Sequence, residues 1–450
     1  MYLTGKQPTF RRQRPHSSPY NTLILLGILI VSLFILQAVN TKAITSPFDP
    51  TPVPTRPATS YTLEGETNFK AGNLNASIAA YQEAARLDPN NALILAELAR
   101  IQTYSSALLT TDAERKVRLQ EALESIDAAV KITPDDSTVH AIRAFVLDWN
   151  ANTTLAGDKS VEYLSEAAQE AARAYVLDNQ NALALAYNAE ILVDQQNWVQ
   201  AEQYVRQAFQ INSTLMDVHR VDGYVKESLG YYGDAIDSYK AAIEVTPNLT
   251  FLYIYVGYNY RQLKQYDLAL EYFVKAVNID KQLNVEDPVP YMAISKTYSQ
   301  MGEFFIAARN LETALAMDPS NADVYGSLGI VYLKSRNYES AIPALQCAVR
   351  GCDAKTSCIA RGECADDVAD EDVDPKIEIE GLPLSPTTVV YYYSYGSVLA
   401  GMHRPINNYC IEGKKVLQEV RDGFSEDPVI MQIIEPSEEI CNTAEYGPES

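Results

Sequence analysis

Small residues recur along this chain at helical spacing and predict a series of closely packed helices. Alanines return every 34 to 45 residues, and a second small residue stands seven positions before each of them. Seven residues make two helical turns, so both members of a pair lie on one helix face, where a neighbouring helix can approach closely. The pairs are Ser77 and Ala84, Ala122 and Ala129, Ala167 and Ala174, Ala201 and Ala208, Ala235 and Ala242, Ala269 and Ala276, Ala307 and Ala314, and Ala341 and Ala348.

A second small position predicts another helix before each of these helices. It lies nineteen residues before the second member of the pair in six of the units, at Gly65, Ala189, Gly223, Gly257, Ser295 and Gly329. Four units then close at a proline, and proline cannot continue a helical hydrogen-bond ladder. These prolines are Pro89, Pro134, Pro247 and Pro319. Each unit is therefore predicted to be a helical hairpin.

This pattern resembles the tetratricopeptide repeat family, whose unit of about 34 residues is a pair of antiparallel helices. Unit 216–249 carries the family pattern most fully, with Gly223, Ala235, Tyr239 and Pro247 in place. The resemblance covers roughly residues 58–350. It implies an all-α fold, a right-handed superhelical solenoid of about eight to nine helix-turn-helix units.

Departures from the regular period predict local changes in the helices. The second and third units each carry eleven extra residues, about three helical turns, which longer helices would absorb. "TDAE" at 111–114 predicts a capping box at a helix start near Asp112, whereas residues 150–160 look like a loop. Four extra residues near 281–290 predict a small kink, and Pro343 predicts that its helix starts late or bends.

The N-terminal region predicts a membrane anchor before the repeats. Residues 22–39 contain no charge and are long enough to cross most of a bilayer core. We assign 22–40 to a transmembrane signal anchor, with the basic residues 1–21 in the cytoplasm and the repeats outside it. A cleaved signal peptide is the main alternative, although "LQA" and "TKA" match a cleavage site poorly; a buried core helix is a further one. The proline-rich residues 41–57 predict a semi-rigid linker.

Charge and composition change at both ends of the repeats. The formal net charge is −22, and the first 42 residues contribute +5, so the remainder carries about −27. Such a chain repels nucleic acid, and no nucleic-acid partner is expected. Residues 351–386 form an acidic, cysteine-containing insertion. Residues 387–441 then predict a degenerate repeat and a C-terminal cap, because a solenoid must shield its last apolar face, and 442–450 a tail.

Six cysteines and an acidic run are the candidate covalent and metal sites. The disulfide candidates are Cys347, Cys352, Cys358, Cys364, Cys410 and Cys441. In an exported chain we expect the first four to pair among themselves and Cys410 to pair with Cys441, out of fifteen connectivities. Four thiolates holding a metal is the alternative, although the spacing differs from zinc motifs. Asp370, Asp372 and Asp374 alternate like a calcium loop but lack its glycine and glutamate, which favours a solvated loop.

The sequence carries no pattern that predicts catalysis. Its four histidines belong to no metal or nucleophile motif, and neither a phosphate loop nor a dinucleotide fingerprint occurs. We therefore expect no enzyme activity, no cofactor and no metal.

The family resemblance implies a partner-binding groove on the concave face, lined by the first helix of each unit. Carried onto this chain, its inward positions include Arg220, Tyr224, Glu227, Phe251, Tyr258, Arg261, Met292 and Lys296. Aromatic residues beside arginine are typical of interface hot spots, although most of the 30 tyrosines stand at packing positions. The lysine and asparagine set with which some members grip a C-terminal carboxylate does not occur in consecutive units.

Two functions remain open from the sequence. The first is a membrane-anchored extracytoplasmic scaffold that binds a protein or peptide in its groove. The second is a structural subunit of a cell-envelope assembly or filament, in which the chain associates with copies of itself.

Overall fold

The chain divides after Arg56 into an N-terminal unit and a repeat unit. The computed structural model describes residues 18–41, 56–365, 367–373, 375–404 and 406–446. In the N-terminal unit these comprise one helix, α1 (Pro19–Asn40). Within the described residues, α1 alone is long and apolar enough to cross a membrane. Residues 1–17 and most of the predicted linker, 42–55, lie outside the described residues.

The repeat unit consists of antiparallel helix pairs, as the spacing of small residues predicts. Its first four pairs are α2 (Ala58–Lys70) with α3 (Leu74–Leu87), α4 (Ala92–Ser106) with α5 (Asp112–Ile132), α6 (Ser137–Asn150) with α8 (Ser160–Leu177), and α9 (Ala182–Asp194) with α10 (Trp198–Ile211). The next four are α11 (Met216–Ser228) with α12 (Tyr232–Val245), α13 (Thr250–Gln262) with α14 (Tyr266–Leu283), α15 (Val289–Met301) with α16 (Phe304–Met317), and α17 (Ala322–Lys334) with α18 (Tyr338–Arg350). Helix α7 (Thr153–Ala156) is a single turn inside the third unit.

Close helix packing explains the small residues at both predicted positions. All sixteen members of the eight pairs are fully buried. On the preceding helices, glycine meets the side chain sixteen residues later in the same unit. A Cβ atom on Gly257 would lie 2.3 Å from the Phe273 ring, and one on Gly223 would lie 2.7 Å from Tyr239. Glycine is therefore needed here because the opposing ring occupies the space of a side chain.

Longer helices absorb the extra residues in the early units. Helix α5 has 21 residues and α8 has 18, whereas the second helix of a regular unit has 14. The predicted capping box starts α5, because Thr111 accepts from the Glu114 N–H while the Glu114 side chain accepts from the Thr111 N–H. The loop predicted at 150–160 is wrong in part. It contains α7 and a 3-10 turn, and the Ser160 hydroxyl holds it by donating to the Ala151 carbonyl.

Two later irregularities are also accommodated by helix. Helix α14 extends to 18 residues and ends where Asn284 takes a left-handed conformation. The kink expected after this unit stays a prediction. Helix α18 does not start late, because Asn337 caps it by accepting from the Ser340 N–H, and it continues through Pro343 to Arg350. The alternative expectation, that the helix bends at Pro343, stays a prediction.

The acidic insertion packs onto the end of the eighth unit. It contains α19 (Ala354–Ala360) and an isolated pair of hydrogen bonds between Cys352 and Ile379. Ile379 is buried, and the Leu382 N–H donates to the Ala348 carbonyl at 2.8 Å. The insertion therefore shields apolar residues of α17 and α18. Asp370 and Asp372 form an exposed 3-10 turn, and residue 374 lies outside the described residues.

Three further helices follow the insertion. They are α20 (Val389–Met402), α21 (Cys410–Phe424) and α22 (Pro428–Tyr446). Gly396 of α20 meets Leu417 of α21 as the regular glycines meet their partners, with a Cβ atom placed 2.5 Å away. Helix α22 continues to Tyr446, so residues 442–446, assigned above to the tail, are helical.

All six cysteines lie in local disulfides. The bonds join Cys347 to Cys352, Cys358 to Cys364, and Cys410 to Cys441. The last bond ties α21 to α22 and packs against Ala400 of α20.

Candidate functional site: the inner surface and its two cavities

The first helices of successive units line an inner surface, and part of this surface is closed by contacts between distant units. Tyr104 of α4 stacks on Phe251 of α13, with ring centroids 5.3 Å apart. Phe145 of α6 stacks on Tyr187 of α9 at 4.4 Å. Because these aromatic rings belong to the second to sixth units, the superhelix packs against itself at this level and leaves no groove there.

Asp217 lies at the centre of the closed part. Arg100 donates to both of its carboxylate oxygens, at 3.0 and 3.2 Å, and the hydroxyls of Tyr104 and Tyr187 donate to it as well. Burial alone would raise the pKa of the Asp217 carboxyl. The guanidinium and the two hydroxyls instead hold that pKa below its ordinary value. Asp217 is therefore an ionised anchor between α4, α9 and α11.

Arg220 and Phe251 form the buried wall beside this anchor. Arg220 donates to both oxygens of Glu190, at 2.8 and 2.5 Å, and to the Tyr104 hydroxyl at 3.1 Å. Only 3% of Arg220 and 2% of Phe251 is exposed. Both residues thus contribute internal packing, a role that sequence spacing does not distinguish from a partner contact.

Below this wall the inner surface opens into a first cavity of about 680 Å³. Half-buried Tyr224, Glu227 and Tyr258 line it together with two further carboxylates, Asp148 and Asp194. The Tyr224 hydroxyl donates to Asp194. Glu227 accepts from Tyr239 at 3.0 Å and from the side chain of Asn259 at 2.9 Å. The cavity is consequently acidic, with aromatic walls.

A second cavity of about 420 Å³ adjoins the first and shares Arg115, Tyr258 and Val289 with it. Met292, Lys296 and Lys334 line it, and its carboxylate Asp323 accepts from the Tyr391 hydroxyl at 2.7 Å. Partial desolvation lowers the pKa of Lys296, although its side chain still reaches solvent, and the positive charges of Arg261 and Lys334 lower it further. Basic side chains therefore crowd this cavity, and an anion placed there would relieve their repulsion.

The extra residues of the second unit cross the inner surface between the two cavities. The side chain of Asn321 in the eighth unit donates to Thr110. The hydroxyl of Thr387, beyond the insertion, donates to Asp112 at 3.0 Å. Arg115 reaches both cavities and donates to the Leu109 carbonyl at 2.8 Å. The unit's irregular length was visible in the sequence, but its contact with the eighth unit was not.

The structure brings most of the predicted groove residues together. Seven of the eight line one or both cavities, namely Arg220, Tyr224, Glu227, Phe251, Tyr258, Met292 and Lys296. Arg261 lies beside them with its guanidinium 4.6 Å from the centroid of the Tyr258 ring, and its Nη1 has no hydrogen-bond partner in the described residues. Asp148, Asp194 and Arg115 also line the cavities, and the inward positions of the repeat did not single them out.

No metal centre is apparent where the structure describes the chain, since no group of three or more histidine, cysteine or acidic side chains is arranged to hold an ion. The four clustered cysteines considered as thiolate ligands are engaged in disulfides.

Comparison with known proteins identifies the repeats. Family models described as tetratricopeptide repeat match residues 58–91, 223–249, 252–283 and 292–355.

Similar solved structures include the APC/C hetero-tetramer Cut9–Hcn1, at 15% identity and a TM-score of 0.48. That match covers 67% of this chain and 52% of the other, about half its length. Two others are tetratricopeptide repeat proteins from Parabacteroides merdae (17% identity, TM-score 0.37, covering 61% of this chain and 98% of that one) and Thermus thermophilus (16% identity, TM-score 0.37, covering 45% and 98%).

Proposed function

We propose that the chain is a membrane-anchored extracytoplasmic scaffold. It is a tetratricopeptide repeat protein, and proteins of this class generally mediate protein–protein interaction and are typically non-catalytic. Its partner, a protein segment or peptide, binds along the two adjoining cavities of the inner surface. The observation that carries this proposal is that these cavities stay open, whereas the inner surface at the level of Tyr104 and Phe251 is packed against itself.

The chemistry of the second cavity indicates what the partner presents there. Lys296 and Lys334 are exposed and Arg115 is half-buried, and among the described residues of the lining Asp323 is the one carboxylate. An acidic side chain or a terminal carboxylate would therefore pair with these cations in a partly desolvated position. Met292 and Tyr258 supply apolar contact beside the charge, as in the centre of many interfaces.

The scaffold acts by holding this surface ready. Buried, charge-assisted hydrogen bonds fix α11 to two other first helices, since Arg220 binds Glu190 of α9 in the preceding unit and Asp217 binds Arg100 of α4 in the second unit. The cavity walls are therefore ordered before the partner arrives, and binding costs less conformational entropy. The scaffold then holds the bound segment of the partner near the membrane.

The test is recovery of a partner by full-length protein purified from native membranes. Tyr258→Ala with Arg261→Ala should abolish recovery of a specific partner, because Tyr258 lines both cavities and Arg261 packs on its ring. The matched control is Tyr338→Ala with Arg309→Ala, since both residues are exposed on second helices outside the cavities. The control should recover the partner in full.

Two outcomes contradict this proposal. Equal recovery by both double variants would place the interaction elsewhere. Recovery of copies of this chain in a large particle would instead support the structural subunit of an envelope assembly or filament.

Three features support the anchor and the export. Helix α1 is apolar enough to span a bilayer, because its 20 residues Pro19–Ala38 have a mean hydropathy of 2.3. The basic residues before it favour a cytoplasmic N-terminus. The three disulfides suit an oxidising compartment. A cleaved signal peptide would give the same export without the anchor.

Protease accessibility tests the topology. Protease added to intact cells, or to spheroplasts where an outer barrier exists, should digest the repeat unit while the first residues stay protected. Protection of the repeat unit in both preparations would contradict export. An N-terminal sequence that begins after residue 36 would identify the cleaved form.

A further inference from the structure

Asp148 is a buried carboxylate that the fold leaves without a hydrogen bond. Only 4% of the residue is exposed, and neither Oδ1 nor Oδ2 has a hydrogen-bond partner among the described residues. It lies on α6 and lines the first cavity. A buried carboxylate in this condition is rare, because desolvation is costly unless a cation or a donor compensates it.

The neighbouring buried acids are all compensated, which makes Asp148 the exception. Glu190 accepts from two nitrogens of Arg220 and from the indole of Trp149 at 3.1 Å. Asp217 accepts from Arg100, Tyr104 and Tyr187. The guanidinium groups of Arg100 and Arg220 thus donate to other carboxylates, and neither donates a hydrogen bond to Asp148.

A second carboxylate stands beside Asp148. Asp194, at the C-terminus of α9, is within hydrogen-bonding reach of Asp148 and accepts from Tyr224 on its own Oδ1. Burial raises the pKa of Asp148 well above its ordinary value, and the charges of Asp194 and Glu190 raise it further, while Arg220 opposes them. The two carboxyl groups therefore cannot both be ionised at low cost, and either a shared proton or a bound cation relieves their repulsion.

The cavity as a whole has the charge and walls that suit a small organic cation. Its lining carries four carboxylates, on Asp148, Glu190, Asp194 and Glu227, against the guanidinium groups of Arg115 and Arg220. Aromatic side chains, among them Trp149, Tyr224 and Tyr255, surround these charges. Its volume of about 680 Å³ lies in the range of small-molecule sites. Alkyl chains pack on such rings, and ammonium groups are attracted to their faces.

We propose that Asp148 and Asp194 bind a primary alkylammonium group that enters the first cavity. Its N–H donors satisfy the unpartnered oxygens of Asp148 and a free oxygen of Asp194, and its alkyl chain lies against the aromatic wall. A metal ion is disfavoured because the described residues provide no set of three ligands. The acidic group of the partner proposed above pairs with the cations of the second cavity, whereas the ammonium group binds in the first; the test of this site with a free amine does not require that partner.

Tryptophan fluorescence reports binding at this site directly. The chain has two tryptophans, and Trp149 lines the cavity while Trp198 is 42% exposed at the start of α10. In full-length Trp198→Phe protein, Trp149 is therefore the sole tryptophan. Titration with pentylamine should change its emission saturably.

Two substitutions with a matched control assign the binding to the acid pair. In the Trp198→Phe background, Asp148→Asn should weaken pentylamine binding by about tenfold or more, because the amide cannot ionise beside the ammonium group and retains the shape. Asp194→Asn, at an exposed residue whose replacement leaves the core intact, should weaken it as well. Asp237→Asn removes the same charge from an exposed position on α12 and should leave the affinity unchanged.

A probe without N–H donors distinguishes hydrogen bonding at this site from electrostatic attraction of any cation. Pentyltrimethylammonium has the same charge without N–H donors and should bind about tenfold more weakly than pentylamine. Nα-acetyl-lysine N-methylamide, whose side-chain amine is free, carries the same ammonium group on a peptide unit. If it binds more tightly than pentylamine, the source is a lysine of a bound chain; if less tightly, the source is a free amine.

Three results would overturn the proposal. The first is unchanged Trp149 emission at saturating pentylamine together with no heat of binding. The second is equal affinity of the Asp148→Asn, Asp194→Asn and Asp237→Asn proteins. The third is equal binding of the trimethylated probe, because N–H donation to Asp148 would then contribute nothing.

Discussion

At the scale of single residues, two buried carboxyl groups connect the stability of the repeat unit to pH. Burial raises the pKa of Asp280 to about 8 and that of Asp287 to about 7, and the charge of Asp287 contributes to the shift at Asp280. In an unfolded chain an aspartate titrates near 4. The folded state therefore holds these protons more tightly. The resulting stability is fully present below about pH 4 and is lost as the pH rises towards 8.

Asp280→Asn should remove most of this dependence. The gain in stability of the variant over the original protein should be about 3–4 kcal/mol larger at pH 8 than at pH 5, because the amide carries no charge to bury. Thermal unfolding of full-length protein followed by circular dichroism at both pH values measures this. Asp237→Asn, on the exposed face of α12, is the control. If the Asp280→Asn protein lost as much stability between pH 5 and pH 8 as the original protein does, Asp280 would not be the residue that retains its proton.

The sequence predicts packing residues better than site residues, for a physical reason. A small residue such as Ala242 or Gly257 stands where two helices touch within one unit, and the repeat copies that contact. Arg220 and Tyr258 stand at equivalent kinds of inward position, yet Arg220 is bound by Glu190 while Tyr258 lines both cavities. That difference depends on residues in other units, and the period of the repeat carries no information about them.

At the scale of helices, the close approach within each pair depends on glycine. Gly257→Ala places a methyl group in the space of the Phe273 ring, with the nearest ring atom at 2.3 Å. We expect a loss of about 1–3 kcal/mol in the free energy of unfolding, because α13 and α14 must separate or the ring must leave its position. Gly233→Ala, in the first turn of α12 with no atom within 4 Å, is the matched control. It should be neutral or stabilising by up to about 1 kcal/mol.

Urea unfolding of the two glycine variants in parallel decides this prediction. Both substitutions reduce the freedom of the unfolded chain equally, so their difference reports the native contact. Equal midpoints would mean that the helix pair tolerates a side chain at position 257.

Helix lengths were partly predictable because their signals are local. The capping box at Thr111 and Glu114 fixes the start of α5, and Asn337 fixes that of α18 in spite of Pro343. The contact between Thr110 and Asn321 spans 211 residues and has no local signal. The division of the inner surface into two cavities therefore emerged only with the folded chain.

At the scale of the whole molecule, the disulfides and the compartment are linked. Cys410 and Cys441 close a loop with a sequence separation of 31, whereas Cys358 and Cys364 are six residues apart. Chain entropy predicts that replacing the first pair by alanine costs about 3–4 kcal/mol and the second about 2 kcal/mol. Replacement of Cys410 and Cys441 by alanine should therefore accelerate limited proteolysis of the C-terminal helices more than replacement of Cys358 and Cys364 accelerates proteolysis of the insertion.

Mass mapping of the native protein without reductant is the accompanying measurement. Recovery of the three disulfide-linked peptide pairs would agree with an oxidising compartment. Six free thiols in protein taken directly from cells would contradict both the disulfides and the proposed export.

The central claim is that a partner binds on the inner surface, and photo-crosslinking from defined positions tests it most directly. A photoreactive amino acid at Met292 lies in the second cavity, and one at Asp237 lies on the exposed face of α12. Irradiation of cells that carry each full-length protein should give a specific crosslinked partner from position 292 and none from position 237. The same adduct from 237 with none from 292 would contradict the account.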